Sequence, residues 1–177
     1  AFAAETGSIT ITNATVDEEY AVYKIFDASI SKDADGNTEA VAYSIETDSQ
    51  FFNAIFGDGS TGKNFFEYNA DTGAVTKKQG VNDADLIDYL TKLVKEGTFE
   101  TVGDPIKATT EEVKFENLPY GYYVVTSSLG TAVTINSNTP DVQVIDKNQE
   151  PGKDFDKQIN VAKDENGNVT AWGDANT

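Results

Sequence analysis

Three features of this sequence predict a mainly β fold, a sandwich of strands with short helices inserted. Apolar residues alternate with polar ones near both ends of the chain: Ile9 and Ile11 among Ser8, Thr10 and Thr12, and Val142 and Val144 around Gln143. A strand with one face on a core needs this period of two, because successive side chains point to opposite faces. Pairs such as Asp35-Gly36 and Asn166-Gly167 punctuate the runs and suit the positive-φ positions of tight hairpins. The clearest helical period is confined to residues 83–96.

The first strand leads into a polar turn, Asn13 to Glu19. Tyr20-Ala-Val-Tyr-Lys-Ile-Phe26 is apolar on both faces and reads as a central strand. Lys24 stands among these apolar neighbours; its stem can lie on the sheet while the amine reaches water. Ser29 to Ser44 reads as a hairpin about Asp35-Gly36. Asp33, Asp35, Asn37 and Glu39 suggest calcium, but an EF-hand loop needs Gly at its sixth position and Glu at its twelfth. Counted from Asp33, those places hold Thr38 and Ser44, so a solvated turn is the better reading.

Asp48 or Ser49 can cap a short helix that buries Phe51, Phe52, Ile55 and Phe56 and stops near Gly57. Gly57 to Lys63 is a loop too irregular for a phosphate-binding Walker pattern. Phe65, Phe66 and Tyr68 form a strand paired with Ala74-Val-Thr76 around Asp71-Thr-Gly73. This aromatic row has no polar cluster beside it, which favours core packing over sugar binding. From Asp83 to Glu96, Leu86, Ile87, Leu90, Leu93 and Val94 recur at helical spacing. Asn82 can cap that helix, Asp83 and Asp85 suit its N-terminus, Lys92 and Lys95 its C-terminus, and Gly97 stops it. Beyond it, Val113 and Phe115 face inward while Glu112, Lys114 and Glu116 face out. Asn117-Leu-Pro-Tyr-Gly121 reads as a turn, Tyr122 to Ser127 as a central strand, then Ala132 to Asn136 and Val142 to Lys147 as the closing strands.

Composition narrows function. The 177 residues hold 30 acidic side chains against 13 lysines and no arginine, a net charge of −17. Such an excess argues against nucleic acid and against anionic membrane surfaces. No run approaches the roughly 20 apolar residues that span a bilayer. With no cysteine and no histidine, there is no disulfide, no thiolate metal site and no imidazole base, so no metal or cofactor is expected. Paired carboxylates could in principle build a hydrolase, but no pair has a supporting motif, and the chain is not expected to be an enzyme. Ala1-Phe2-Ala3 has the small-x-small form of a signal-peptidase site; a cloning remnant is the alternative.

Two lysines draw attention by their parity. If Val142 and Val144 face a core, Gln143, Ile145 and Lys147 face outward, which makes Lys147 a displayed amine. Lys157 instead shares parity with Phe155, Ile159 and Val161. A buried ammonium is costly unless paired or neutralised, so Lys157 needs a special partner.

Val142-Gln-Val-Ile-Asp-Lys147-Asn148 and Phe155-Asp-Lys157 resemble the junction region of the major, backbone pilins of Gram-positive bacteria. The opening Ile-Thr-Ile-Thr-Asn…Tyr-x-x-Tyr-Lys-Ile-Phe-Asp is similar to the starts of pilin N-terminal domains. Asn117-Leu-Pro-x-Gly-x-Tyr-x-Val resembles a block of Gram-positive surface-protein sandwiches. The fuller pilin motif of some members, Trp-x-x-x-Val-x-Val-Tyr-Pro-Lys, is matched at Val142, Val144 and Lys147. It is departed from at Asn138, Ile145 and Asp146.

The resemblance implies an immunoglobulin-like (CnaB/pilin-type) sandwich and a structural role. The subunit would be the substrate of a class C sortase, with the Lys147 amine accepting the C-terminal threonine of the next subunit. It implies an extracellular, cell-wall-anchored pilus. The partners would be sortase and other copies of the same pilin, with ancillary pilins and host surface molecules beyond them. Lys157 would open the next domain and form its intramolecular isopeptide bond to an asparagine. Residues 4–147 would be the N-terminal pilin domain, 148–154 a linker, and 155–177 the start of a second, truncated domain, with the Leu-Pro-x-Thr-Gly sorting signal further on. In many such domains an acid follows the Tyr-Tyr-x-Val pattern and promotes an internal crosslink; here Thr126 follows, and Thr10 or Thr12 stands where the bonding lysine would sit. The N-terminal domain is therefore expected to lack its own crosslink, with a bond from Lys24 to Asn136 as the rival. The rival to a polymerising subunit is a surface adhesin that binds host protein or glycan.

Overall fold

The computed structural model describes residues 6–129, 132–136 and 141–145. Among them the chain is mainly β and forms two sheets. The strands are β1 (Thr6–Thr12), β2 (Glu19–Lys32), β3 (Thr38–Ser44), β4 (Phe66–Tyr68), β5 (Ala74–Lys77), β6 (Ile106–Lys107), β7 (Val113–Pro119), β8 (Gly121–Ser127), β9 (Ala132–Asn136) and β10 (Asp141–Ile145). Helices α1 (Phe52–Phe56) and α2 (Asp83–Glu96) lie between β3 and β6 in the chain. The smaller sheet has the order β10-β1-β7. The larger runs β4-β5-β3-β2-β8-β9, with β6 also paired to β2.

The alternation of β1 decides where the small sheet faces. Ile9 and Ile11 are buried while Thr10 and Thr12 are half-buried. Ile9 lies opposite Val142 on the parallel strand β10 and opposite Phe115 on the antiparallel strand β7. These side chains meet Tyr20, Val22, Tyr123 and Val125 of the larger sheet in one apolar cluster, so the two sheets share a core.

β2 serves both faces of its sheet, as its doubly apolar sequence requires. Tyr20 and Val22 enter the core between the sheets, whereas Ile25 and Phe26 enter a second cluster under the helices. A register shift against β8 between Lys24 and Phe26 accompanies the change of face. The second cluster is rich in rings. Phe26 meets Phe66 edge-on at 5.0 Å between centroids, and Tyr43 meets Tyr122 at 5.6 Å.

Helix α2 spans the residues its period predicts and buries Leu86, Ile87, Leu90 and Val94. The Asn82 side chain accepts from the Asp85 N–H at 2.8 Å, and the Gly97 N–H donates to the Leu93 carbonyl. The hairpin of β2 and β3 turns at residues 33–37, where Asp33 Oδ1 accepts the N–H groups of Asp35 and Asn37. That carboxylate closes the turn.

Three local expectations are corrected. Neither Asp48 nor Ser49 is the cap residue of α1: Phe51 holds that position, and Ser49 Oγ instead accepts from the Phe51 N–H in the preceding turn. The Gly57 to Lys63 stretch is not all loop, because Thr61–Asn64 forms a 3-10 helix whose cap, Ser60, accepts from the Gly62 N–H. A side chain at buried Gly62 would strike the Ile55 carbonyl and the Tyr89 hydroxyl, so glycine is required there. Finally, Asn117, Leu118 and Pro119 are strand residues of β7, not a turn. Leu118 is buried opposite Gly7, and a register shift in β1 with positive φ at Asn117 keeps the ladder going to Pro119. Only Tyr120 separates β7 in one sheet from β8 in the other.

Candidate functional site

The candidate site is the end of β10, and its placement starts from two valines. Val142 and Val144 are 3% and 1% exposed, while Gln143 between them is exposed. The predicted alternation therefore holds over these three residues. β10 runs parallel to β1, with Val144 opposite Ile11 and Ile145 opposite Thr12. The Thr12 hydroxyl donates to the Val144 carbonyl at 3.2 Å, which ties the strand end to its neighbour. The predicted acceptor Lys147, its neighbour Asn148, and Lys157 lie outside the described residues; Lys147 follows the last of them, Ile145, by two positions.

The loops around this strand end are tied to one another. The Ala14 N–H donates to the Glu111 carbonyl at 2.7 Å, and the Asp17 N–H to the Ala108 carbonyl at 2.8 Å. The Thr15 N–H donates to the Tyr20 hydroxyl at 2.9 Å. An open depression of about 660 Å³ lies here, lined by Thr12, Asn13, Val16, Thr110, Glu111 and Glu112.

Lys24, the other lysine singled out, behaves as an amphipathic side chain. Its stem crosses the face of Gly121, where a Cβ would crowd it. Its amine meets Asp27 Oδ1 at 2.6 Å, with the two side chains 31% and 43% exposed. The alternative of a bond to Asn136 is poorly served by register. Lys24 lies opposite Tyr123, whose partner on β9 is Ile135, whereas Asn136 lies opposite Tyr122. Lysine and asparagine are thus one position out of line, with β8 between them. Asp27, three residues on from Lys24, is the partner that sequence reasoning missed, although the spacing was open to view.

The requirements of an internal crosslink can be compared with the interior. Thr126 is half-buried and lies opposite Ala21 and Ala132. Thr10 is half-buried opposite Lys114 and Gln143. Among the described residues the buried set holds, besides its tyrosines, one polar side chain, Ser8, and no lysine or carboxylate. Nor do the described residues gather three or more Asp or Glu side chains in an arrangement able to hold a metal ion.

Two buried phenols shape the strands behind the site. The Tyr123 hydroxyl donates to the Pro119 carbonyl at 2.5 Å, bracing the crossing from one sheet to the other. Burial, with a smaller contribution from the Asp27 carboxylate, pushes the Tyr123 phenol well above its ordinary value. Burial, then the neighbouring Tyr122, raises Tyr43 likewise. Both hydroxyls stay protonated across the physiological range. Comparison with known protein-family models gives no match, and comparison with characterised protein sequences gives no significant match.

Proposed function

We propose that this chain is the N-terminal part of a sortase-assembled pilus backbone subunit with an immunoglobulin-like sandwich, acting as a substrate and not as a catalyst. One observation carries the reading: β10 buries Val142 and Val144, exposes Gln143, and ends at Ile145 on the rim of the small sheet, two residues before Lys147. A strand fixed in this way can present a lysine just past its end at a constant place. Two further features favour an immunoglobulin-like topology. The first and last described strands lie side by side in parallel. The Tyr123 hydroxyl bonds back to the backbone four residues upstream at a sheet-to-sheet crossing, in the manner of a tyrosine corner.

The chemistry asked of such a subunit is modest. A free lysine with a pKa near 10.4 is only about 0.04% neutral at pH 7. The enzyme therefore supplies the proton acceptor and the activated acyl group, a thioester at its cysteine. The lysine nitrogen attacks the thioester carbonyl, an amide forms, the cysteine thiol leaves, and the amine proton passes to the enzyme. The subunit contributes an exposed amine and a rigid approach.

The test is transpeptidation of the chain with a class C sortase and a Leu-Pro-x-Thr-Gly peptide, followed by digestion and mass mapping. The expected product carries the peptide's Leu-Pro-x-Thr fragment on Lys147. A folded chain that gives no adduct at Lys147 favours the adhesin reading, in which the sandwich binds host molecules without polymerising.

A further inference from the structure

The depression beside the small sheet is fixed to the strand it adjoins. Thr12 lines it and donates its hydroxyl to the Val144 carbonyl of β10. Thr110, Glu111 and Glu112, also in its lining, lead directly into β7. β1 and β7 pair as far as Ile11 and Val113, one step from the rim. There the Ala14 N–H donates to the Glu111 carbonyl, while the Thr110 hydroxyl donates to the Glu112 carbonyl and accepts from the Glu112 N–H. These bonds use backbone groups of Glu111 and Glu112, so the two exposed side chains are not what holds the loop. One ladder sets both the depression and the end of β10.

That common frame matters to any protein that acts just past the strand. The two residues from Ile145 to Lys147 span at most about 7 Å. Thr12 lies opposite Ile145 on the neighbouring strand, roughly 5 Å away. The wall of the depression is thus within about 12 Å of the Lys147 backbone. A protein–protein contact of ordinary size covers about 800 Å² on each partner, a disc of roughly 16 Å radius. An enzyme centred on the Lys147 amine therefore covers the depression. A surface already held by hydrogen bonds loses little conformational freedom when it is covered.

We infer that this depression seats the acyl-transferring enzyme, and that Glu111 and Glu112 meet lysine or arginine side chains on the enzyme's rim. The inference rests on the reading of Lys147 as acceptor and names the contact which that reading requires. Charges at the rim of an interface act chiefly on encounter, and salt screens them. They set how well the chain is captured, not how fast the bound amine reacts.

The experiment is transpeptidation by a class C sortase with a Leu-Pro-x-Thr-Gly peptide, with the whole chain varied in concentration as acceptor. Glu111→Lys with Glu112→Lys should raise KM for the chain about tenfold at low salt, leave kcat unchanged, and lose most of that difference at high salt. Asp58→Lys with Glu67→Lys makes the same change in net charge at exposed positions after α1 and in β4, and should leave KM near wild type. If the lysine pair at the depression impairs folding by circular dichroism, Glu111→Gln with Glu112→Gln replaces it and should raise KM about threefold. A folded variant of the depression with the KM of the control overturns the inference, as does a loss confined to kcat. Either result leaves the reading of Lys147 standing when mass mapping finds the adduct there. A wild-type chain with no adduct at Lys147 overturns the reading and the inference together.

Discussion

The core between the two sheets and the core beneath the helices are built from different side chains for different reasons. Between the sheets the contacts are largely aliphatic, with Ile9, Ile11, Val22, Val113, Val125, Val142 and Val144 alternating along five strands. Under the helices, aromatic rings fill the space, with Phe26, Tyr43, Phe51, Phe66 and Tyr122 joined by α2's Leu86, Ile87 and Leu90. β-Branched side chains suit a pleated surface that meets another at a fixed spacing. Rings bury a large apolar area and can meet edge-on, as they do between the larger sheet and the helices. The lesson is a division of labour. The strand that carries the candidate site, β10, sends Val142 and Val144 into the first core, whereas the helices cover the second.

The largest expected effect probes the ring-rich core. Phe26 is 1% exposed and touches the rings of Phe66 and Tyr122. Phe26→Ala should lower stability by about 3–5 kcal/mol, the usual cost of a buried ring truncation, measured by urea unfolding. Next, Ile11→Ala removes the partner of Val144 and should cost about 2–5 kcal/mol. If the two cores form one cooperative unit, both variants unfold in a single transition. Two transitions in either would show that the cores melt separately and extend the division to stability.

Smaller changes sharpen it. Asn82→Ala removes the side-chain cap of α2 and should cost about 1 kcal/mol, without altering amine acceptance at Lys147 in the transpeptidation assay. Raised phenol pKa values at Tyr43 and Tyr123 fix the sign of an alkaline effect. The folded state keeps these protons while the unfolded chain loses them near pH 10, so their contribution is full below pH 10 and falls as pH rises beyond it. Tyr123→Phe should flatten that fall. At neutral pH it should cost about 1 kcal/mol for the lost bond to the Pro119 carbonyl. Stability that is level from pH 9 to pH 12 in the wild type would contradict the assignment of causes.

Much of this architecture was legible because it follows local periods. The burial of Ile9, Ile11, Val142 and Val144 follows from alternation, and α2 from the spacing of Leu86, Ile87, Leu90 and Val94. What escaped reading depends on partners distant in the chain. Asn117-Leu118-Pro119 has turn-forming composition, yet pairing with Thr6 and Gly7 holds it as strand. β6, with two residues, exists because Glu19 and Tyr20 offer it an edge. The parallel pairing of β10 with β1 joins residues more than 130 positions apart, and no local pattern announces it. At the candidate site, parity gave the facing of Val142, Gln143 and Val144. The chemistry assigned to Lys147, Asn148 and Lys157 came from resemblance.

The central claim is the proposed role of Lys147 as the acceptor amine. Lys147→Ala in a chain extended by a Leu-Pro-x-Thr-Gly signal, incubated with a class C sortase and examined for a ladder of covalent multimers, tests it most directly. The expected result under the proposal is loss of the ladder with the urea midpoint unchanged, since surface substitutions usually alter stability little. A ladder at wild-type intensity from the folded variant would contradict the claim and move the acceptor to another lysine, with Lys153 and Lys157 next to be replaced.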